Sequence, residues 1–282
     1  MRQKTQHFDI RQTMQCSKYE IFHYNEPAAT EVKIHNHDFY EVFFLLDGDI
    51  SYWMEGEVYN LKKGDILFID PVTLHRPIIP DATASYERIV LWIDKSYLES
   101  ISTDRINLSE CFENKSSYLL HPNSSQRADL TEKFSNLVYE YYSDKYGSAL
   151  YADGLFLQIM VELNRMRTTA YKPHASKDSS PLVSKVVEYI GEHFYESLSL
   201  DGLAEKFYVS KYHLSHEFSS NVGTSVYRYI MLKRLTAAKH MLMKNTPPGE
   251  VYLRCGFRDY TSFFRAFKTE YGISPKDFSS NI

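Results

Sequence analysis

The chain has 282 residues, 43% apolar and 24% charged, with a formal net charge of −4. This is an ordinary soluble composition with room for two domains. No apolar run approaches the roughly 20 residues of a membrane span, and the opening MRQKTQHFDIRQTMQ lacks the apolar centre of a secretion signal. Cys16, Cys111 and Cys255 stand far apart without a C-x-x-C pair, which points to a reducing cytoplasm and away from a zinc ribbon or disulfide framework. There is no nucleophile elbow, phosphate loop or dinucleotide fingerprint. The charge is uneven: residues 182–282 hold 13 Lys and Arg against 10 Asp and Glu, a net +3, and the first 181 residues carry −7. A basic C-terminal piece on an acidic body suits a nucleic-acid partner for that piece alone.

From residue 19 to about 93 the chain reads as short strands. VFFLL (42–46), ISYWM (50–54), DILFID (65–70) and YERIVLWI (86–93) are β-branched and aromatic runs separated by Gly, Asp and Pro, the pattern of a barrel or sandwich. IHNHDFYEVFFLLDGDI (34–50) places His35, His37 and Glu41 at one strand parity, with Phe43 and Leu45 continuing that face; His75 follows later. Three imidazoles and a carboxylate on one inward face can hold a divalent metal. They can equally line a pocket for a polar ligand, with Tyr52 or Trp53 adding polar and stacking contacts, or belong to a packed core.

Helical spacing begins near Ser125. Leu130, Phe134, Leu137, Val138 and Tyr141 recur on one face, and Leu155, Ile159, Leu163 and Met166 on another, with Gly147 and Ser148 between them. A helical hairpin over 125–167 is expected; its stripes can pack on the barrel or on a second subunit, and the second stripe is regular enough to pair two subunits as a homodimer. TTAYKPHASKDSSP (168–181) has no periodicity and reads as a linker.

Residues 198–218 pair two short helices. Ser199 or Asp201 caps the first, Tyr208–Val209 is a tight turn, and Ser210 caps the second, with Leu203, Ala204, Phe207, Leu214 and Phe218 inward. The plan returns over 250–268, with Gly256 in the turn, Asp259 as cap and Phe263 and Phe267 inward. Between the units, residues 224–244 read as one helix of 21 residues, about 31 Å at 1.5 Å per residue. Successive major-groove faces lie about 34 Å apart, so such a rod would set both units on one face of a duplex.

With these pieces assembled, residues 183–280 resemble the DNA-binding domain of the AraC/XylS family of bacterial transcription regulators. The carrying residues are Leu203-Ala204, the stretch Ser210 to Phe218, Gly223, Arg234, Ala238 and above all GFRDYTSFFRAFKTEYGISPKDF (256–278). Two features depart from the family pattern: TPPGEVYLRCGF (246–257) is about two residues short, and Tyr252 stands where a small Ala is usual. The resemblance implies that Lys211, Tyr212, Ser215 and His216 of the first unit, and Tyr260, Thr261, Arg265 and Lys268 of the second, meet double-stranded DNA. Arg265 has the best chemistry for a base contact, since a guanidinium bonds guanine bidentately. Thr224, opening the long helix, would sit at a natural phosphate cradle. The His35, His37, Glu41, Gly48 and Gly64-Asp65 spacing, with His75, resembles the two cupin motifs, except that Thr73 replaces a glycine.

The implied architecture is an N-terminal all-β cupin-like barrel over 1–124 and a helical hairpin over 125–167. The linker 168–181 then leads to an all-α domain with two helix-turn-helix units over 182–282. Sensor domains of this family often keep such histidines without metal, so no metal or cofactor is expected, and His35, His37, Glu41, Tyr52, Trp53 and His75 are expected to line an effector pocket. The implied function is a cytoplasmic, non-enzymatic activator of carbohydrate-utilisation genes that responds to a sugar-like effector and recruits RNA polymerase. A metal-dependent cupin enzyme fused to a DNA-binding tail and a ligand-independent regulator are the alternatives.

Overall fold

The structure is a computed structural model that describes residues 13–25, 32–79, 86–113, 118–169 and 180–280. Most of the expected linker, residues 170–179, lies outside the described residues. In chain order the strands are β1 (Tyr19–Asn25), β2 (Tyr40–Asp47), β3 (Ile50–Met54), β4 (Glu57–Leu61), β5 (Ile66–Ile69), β6 (His75–Ile78), β7 (Glu87–Ile93) and β8 (Leu119–Leu120). The helices are α1 (Lys95–Ile101), α2 (Glu110–Glu113), α3 (Ser124–Tyr141), α4 (Ser148–Thr169), α5 (Pro181–His193), α6 (Leu200–Lys206), α7 (Lys211–Val222), α8 (Val226–Met243), α9 (Pro248–Arg254), α10 (Tyr260–Tyr271) and α11 (Pro275–Ser280).

Two antiparallel sheets form the N-terminal half, one in the order β1-β7-β2-β5-β8 and the other β4-β3-β6. Strand parity explains how the molecule is layered. Phe22, Phe43, Leu45, Tyr52, Met54, Leu67, Ile69 and Trp92 point between the sheets and pack as one core. The alternate residues of the large sheet, among them Tyr19, Ile21, Val42, Phe44, Phe68 and Leu91, form a second core with α3 and α4. With both faces covered, β2 has no reason to alternate polar and apolar side chains. That is why VFFLL reads as an unbroken apolar run.

The stripe Leu155, Ile159, Leu163 and Met166 belongs to that second core, where Leu163 is fully buried. It therefore packs on its own barrel and does not pair two subunits, which corrects the expectation above. An apolar stripe registers only that something covers it, and here a sheet of the same chain does.

The outer face of the small sheet buries Trp53 and Val58, together with Ile34 and Leu74, against Val183, Val186 and Val187 of α5, Phe218 and Val222 of α7 and Tyr229 of α8. A third layer thus joins the barrel directly to the C-terminal helices. Gly56, at the β3–β4 turn, has φ +93, and a Cβ there would lie 3.0 Å from Cβ of Val187. Only glycine allows both that backbone turn and that approach. Leu235, Val251, Phe263 and Phe267 close a fourth core around the last helices.

Candidate DNA-reading surface and barrel site

The first reading unit is α6–turn–α7. The Ser199 hydroxyl accepts from the Gly202 N–H at 3.1 Å and caps α6, and Ser210 does the same for α7 through His213 N–H. Between them Tyr208 takes φ +56, and Val209 N–H reaches back to the Ala204 carbonyl. The turn is tight because residue 204 is small and Tyr208 takes the left-handed conformation, which is unusual for a bulky residue. On α7, Leu214 and Phe218 are buried, Lys211, Tyr212 and His216 are exposed, and Ser215 is half-buried. The rings of Tyr212 and His216 lie parallel with centroids 6.3 Å apart, so one polar face is presented outward.

The second unit repeats the plan. The Asp259 carboxylate caps α10, accepting from the Ser262 N–H at 2.8 Å and its hydroxyl at 2.9 Å, and these bonds hold its pKa below the usual carboxylate value. Gly256 has φ +76, and a Cβ there would meet the Tyr195 carbonyl oxygen at 2.6 Å, so no side chain fits that turn. Tyr260, Thr261, Arg265 and Lys268 are all exposed along α10, while Phe263 and Phe267 are buried beneath them. Helix α9 starts on Pro247 and Pro248 without a side-chain cap bond. Tyr252 is half-buried there and packs edge-on against Tyr260, centroids 5.9 Å apart, so the bulkier residue serves as a buttress behind the reading helix.

The connecting helix is shorter than its sequence suggests. The Ser225 hydroxyl accepts from Arg228 N–H, so α8 begins at Val226 and ends at Met243, 18 residues and about 27 Å. Thr224 lies outside the helix, before its cap, and does not open it. Inside the bend, Arg234 donates to the carbonyls of Phe194 and Glu196 at 2.7 Å each, tying α8 to the end of α5.

In the barrel, the expected cluster assembles. His35 and His75 exchange main-chain hydrogen bonds of 3.0 and 3.1 Å, and their ring centroids lie 4.3 Å apart. The His37 ring lies 5.0 Å from that of His75 and stacks on Phe39 at 4.1 Å. Each imidazole sets Nδ1 at 2.8–2.9 Å from a main-chain carbonyl: Lys33 for His35, Phe39 for His37 and Thr73 for His75. A carbonyl only accepts, so Nδ1 of each ring carries a proton. Burial, reinforced by the neighbouring imidazoles, pushes the His35 pKa well below its ordinary value and that of His75 down to about 3, so both rings are neutral. Trp92, paired with Glu41 across the β2–β7 ladder, donates its Nε1 to Oε2 of Glu41 at 2.9 Å.

Ligand atoms of His37, Glu41 and His75 all lie within 4.8 Å of one another, and all three residues are buried. Nε2 of His37 approaches Oε2 of Glu41 to 3.4 Å without hydrogen-bond geometry and has no hydrogen-bond partner. A buried ring nitrogen left without a hydrogen-bond partner beside a carboxylate, on a ring already fixed through Nδ1, fits a transition-metal ion.

The two aromatic candidates part company. Tyr52 points into the barrel, its ring 5.0 Å from Phe43. Trp53 lies on the opposite face of β3, edge-on to Tyr229 of α8 at 6.1 Å, and so joins the barrel to the C-terminal helices and does not line its interior. Beside it Glu55, at φ +46, accepts from Tyr229 Oη at 3.0 Å, from Lys233 Nζ at 2.9 and 3.0 Å and from Leu74 N–H at 2.9 Å. Spacing gave no hint of Glu55 because its side-chain partners Tyr229 and Lys233 lie 174 and 178 residues downstream. Along the same seam a cavity of about 290 Å³ is lined by Asn36, His37, Tyr40, Asp70, Phe112 and Glu113 on one side and Thr236, Lys239 and His240 on the other.

Comparison with known proteins agrees with this division. The family model described as a helix-turn-helix domain matches residues 203–281, and that described as a cupin domain matches residues 22–92. The transcriptional activator RhaS of Salmonella arizonae is 25% identical over 89% of this chain and 91% of its own length. The transcriptional regulator YbfI of Bacillus subtilis is 26% identical over 80% and 78%. Among solved structures, the C-terminal domain of the response regulator AraT from Geobacillus stearothermophilus is 30% identical over 36% of this chain and 87% of that one, with a TM-score of 0.36. With two capped helix-turn-helix units joined by one long helix behind a cupin barrel, the chain belongs to the AraC/XylS family of DNA-binding transcription regulators.

Proposed function

We propose that this regulator is an activator whose barrel responds to a small polyhydroxylated molecule of the sugar class. The observation that carries the reading is the seam between barrel and DNA-reading helices, which holds both a latch and a cavity. The middle of the barrel is filled by Phe43, Tyr52, Tyr86 and Trp92, so the effector site we favour is the seam cavity, which reaches His37 from outside. Its lining suits a sugar. Asp70, Glu113 and Asn36 bond hydroxyls, and Tyr40 stacked on Phe112 at 4.4 Å offers an apolar face. Lys239 and His240 belong to α8, so an effector there touches the helix that joins both reading units.

In this reading Lys211, Tyr212, Ser215, His216, Tyr260, Thr261, Arg265 and Lys268 meet the duplex, Arg265 by base readout and Lys268 by phosphate contact. Thr224, displaced from the helix start, is the weakest of the set. A second copy of the chain docks on the outer face of the hairpin. There Leu150 and Leu157 are exposed, and a Cβ added to Gly154 between them would meet nothing within 4 Å. The two copies recruit RNA polymerase from neighbouring sites. Enzymatic turnover has no place in the scheme. RhaS, compared above, is described as a transcriptional activator.

Titration of the full chain with a panel of monosaccharides and disaccharides tests the effector. Binding that is lost in Asp70→Asn, with duplex binding retained, is the expected result. A panel that leaves both heat and thermal midpoint unchanged contradicts the sugar assignment.

A further inference from the structure

We propose that three barrel side chains, Asn36, Asp38 and Arg76, determine which spacing of DNA half-sites the regulator accepts, because they brace both reading units at once. This rests on duplex binding through α7 and α10 and does not depend on the effector reading. The brace begins along the connecting helix. Tyr229, Lys233, Thr236 and Lys239 stand four, three and three residues apart, on one face of α8. Glu55 holds the first two. Asn36, just before β2, donates to Oγ1 of Thr236 at 2.6 Å, and Asp38 pairs with Lys239 at 3.0 Å. The barrel therefore lies along about 15 Å of the rod, at 1.5 Å per residue.

Two further contacts reach the close of each reading helix. On β6, Arg76 donates to the carbonyls of Val222 and Asn221 at 3.0 and 3.1 Å, where α7 ends and a cation also suits the helix dipole. A Cβ at Gly223 would stand 2.8 Å from Nε of Arg76, so a side chain there would push the guanidinium off those carbonyls. At the other end, the Lys239 ammonium held by Asp38 lies 5.2 Å from the ring centroid of Tyr271, the last residue of α10. It also lies 5.9 Å from the ring of Phe278 on α11. Both reading helices are thus fixed to one barrel. Helices α7 and α10 have 12 residues each, about 18 Å. A tilt of about 10° would carry the far tip of either by about 3 Å, close to a base-pair step of roughly 3.4 Å. Braced helices therefore hold register to a single step, and released ones can follow a half-site displaced by one.

The test uses the full chain and the two-part duplex it selects from a random pool, rebuilt with one base pair added or removed between the halves. The wild-type chain should lose more than about tenfold in affinity on either altered duplex. The double variant Asp38→Asn, Arg76→Ala should bind the selected duplex within about threefold of wild type and lose less than about threefold on the altered ones. A mere loss of stability would weaken all three duplexes alike. A wild-type chain indifferent to spacing, or an undiminished penalty in the double variant, overturns the proposal. A second measurement needs no DNA. Nitroxides at Ser220→Cys on α7 and Thr269→Cys on α10, both exposed, report the distance between the reading helices once Cys16→Ser leaves only buried native thiols. The distance distribution should be narrow in that background and broaden when Asp38→Asn and Arg76→Ala are added. Equal widths overturn the brace. Should the double variant not fold, Asp38→Asn alone carries the same expectations in both measurements.

Discussion

Arg265 and Lys268 lie three residues apart on α10, both exposed and backed by the buried Phe263 and Phe267. Neither is needed for packing, so their substitution reads recognition directly. Arg265→Ala should cost about 1–3 kcal/mol on a preferred duplex and relax one base position. Lys268→Ala should weaken all duplexes alike and flatten the salt dependence. Quantitative binding to matched specific and random duplexes separates these outcomes, and equal effects would refute the division of roles. Burial sorts the thiols in a similar way. It pushes the Cys111 thiol far up and that of Cys255 up to about 12, whereas Cys16 is partly exposed. A disulfide reagent at pH 8 should therefore modify Cys16 quickly and the other two only after denaturation. Prompt reaction of all three would show that the two buried sites open readily.

The hairpin α3–α4 presents two faces with opposite roles. Leu163 is 0% exposed and sits in the sheet-facing core, whereas Leu150 is 79% exposed on the outside. Leu163→Ala should cost about 2–5 kcal/mol of stability, measured by denaturant melts. Leu150→Glu should leave the melt unchanged and shift a dimer toward monomer in sedimentation. If Leu163→Ala dissociates the chain without destabilising it, the packing described here is wrong. The elements themselves were largely legible beforehand. The strand runs at 42–46, 50–54 and 65–70, the two hairpin helices and the caps Ser199, Ser210 and Asp259 all stand where spacing placed them. Less legible was which surface each apolar stripe meets. Periodicity records that a face is covered and says nothing of the cover, so α4 read as a subunit contact and Trp53 as a pocket wall. The start of α8 slipped for a smaller reason: Thr224 and Ser225 are both competent caps, and only the bond from Arg228 N–H selects the second.

At the scale of the molecule, the barrel and the DNA-reading helices share a packed seam. A linker read from composition implied loosely tethered halves. Instead Glu55 joins β3–β4 to Tyr229 and Lys233, and Trp53 seats on Tyr229. Glu55→Ala would leave the half-buried Lys233 without this carboxylate and should split a single calorimetric transition into two, barrel and helices melting apart. One unchanged transition would mean that the apolar layer alone holds the halves together. None of this seam was visible in the sequence, because its partners are separated by well over a hundred residues. The DNA-reading units were visible because each is local, capped and repeated. The most direct test of the central claim is selection of preferred sites by the full chain from a pool of random-sequence duplexes. The account predicts a two-part site whose halves lie about one helical turn apart, with affinity falling steeply as salt rises. Recovery of sequences with no common pattern, or with a pattern unaltered by Arg265→Ala, would contradict it.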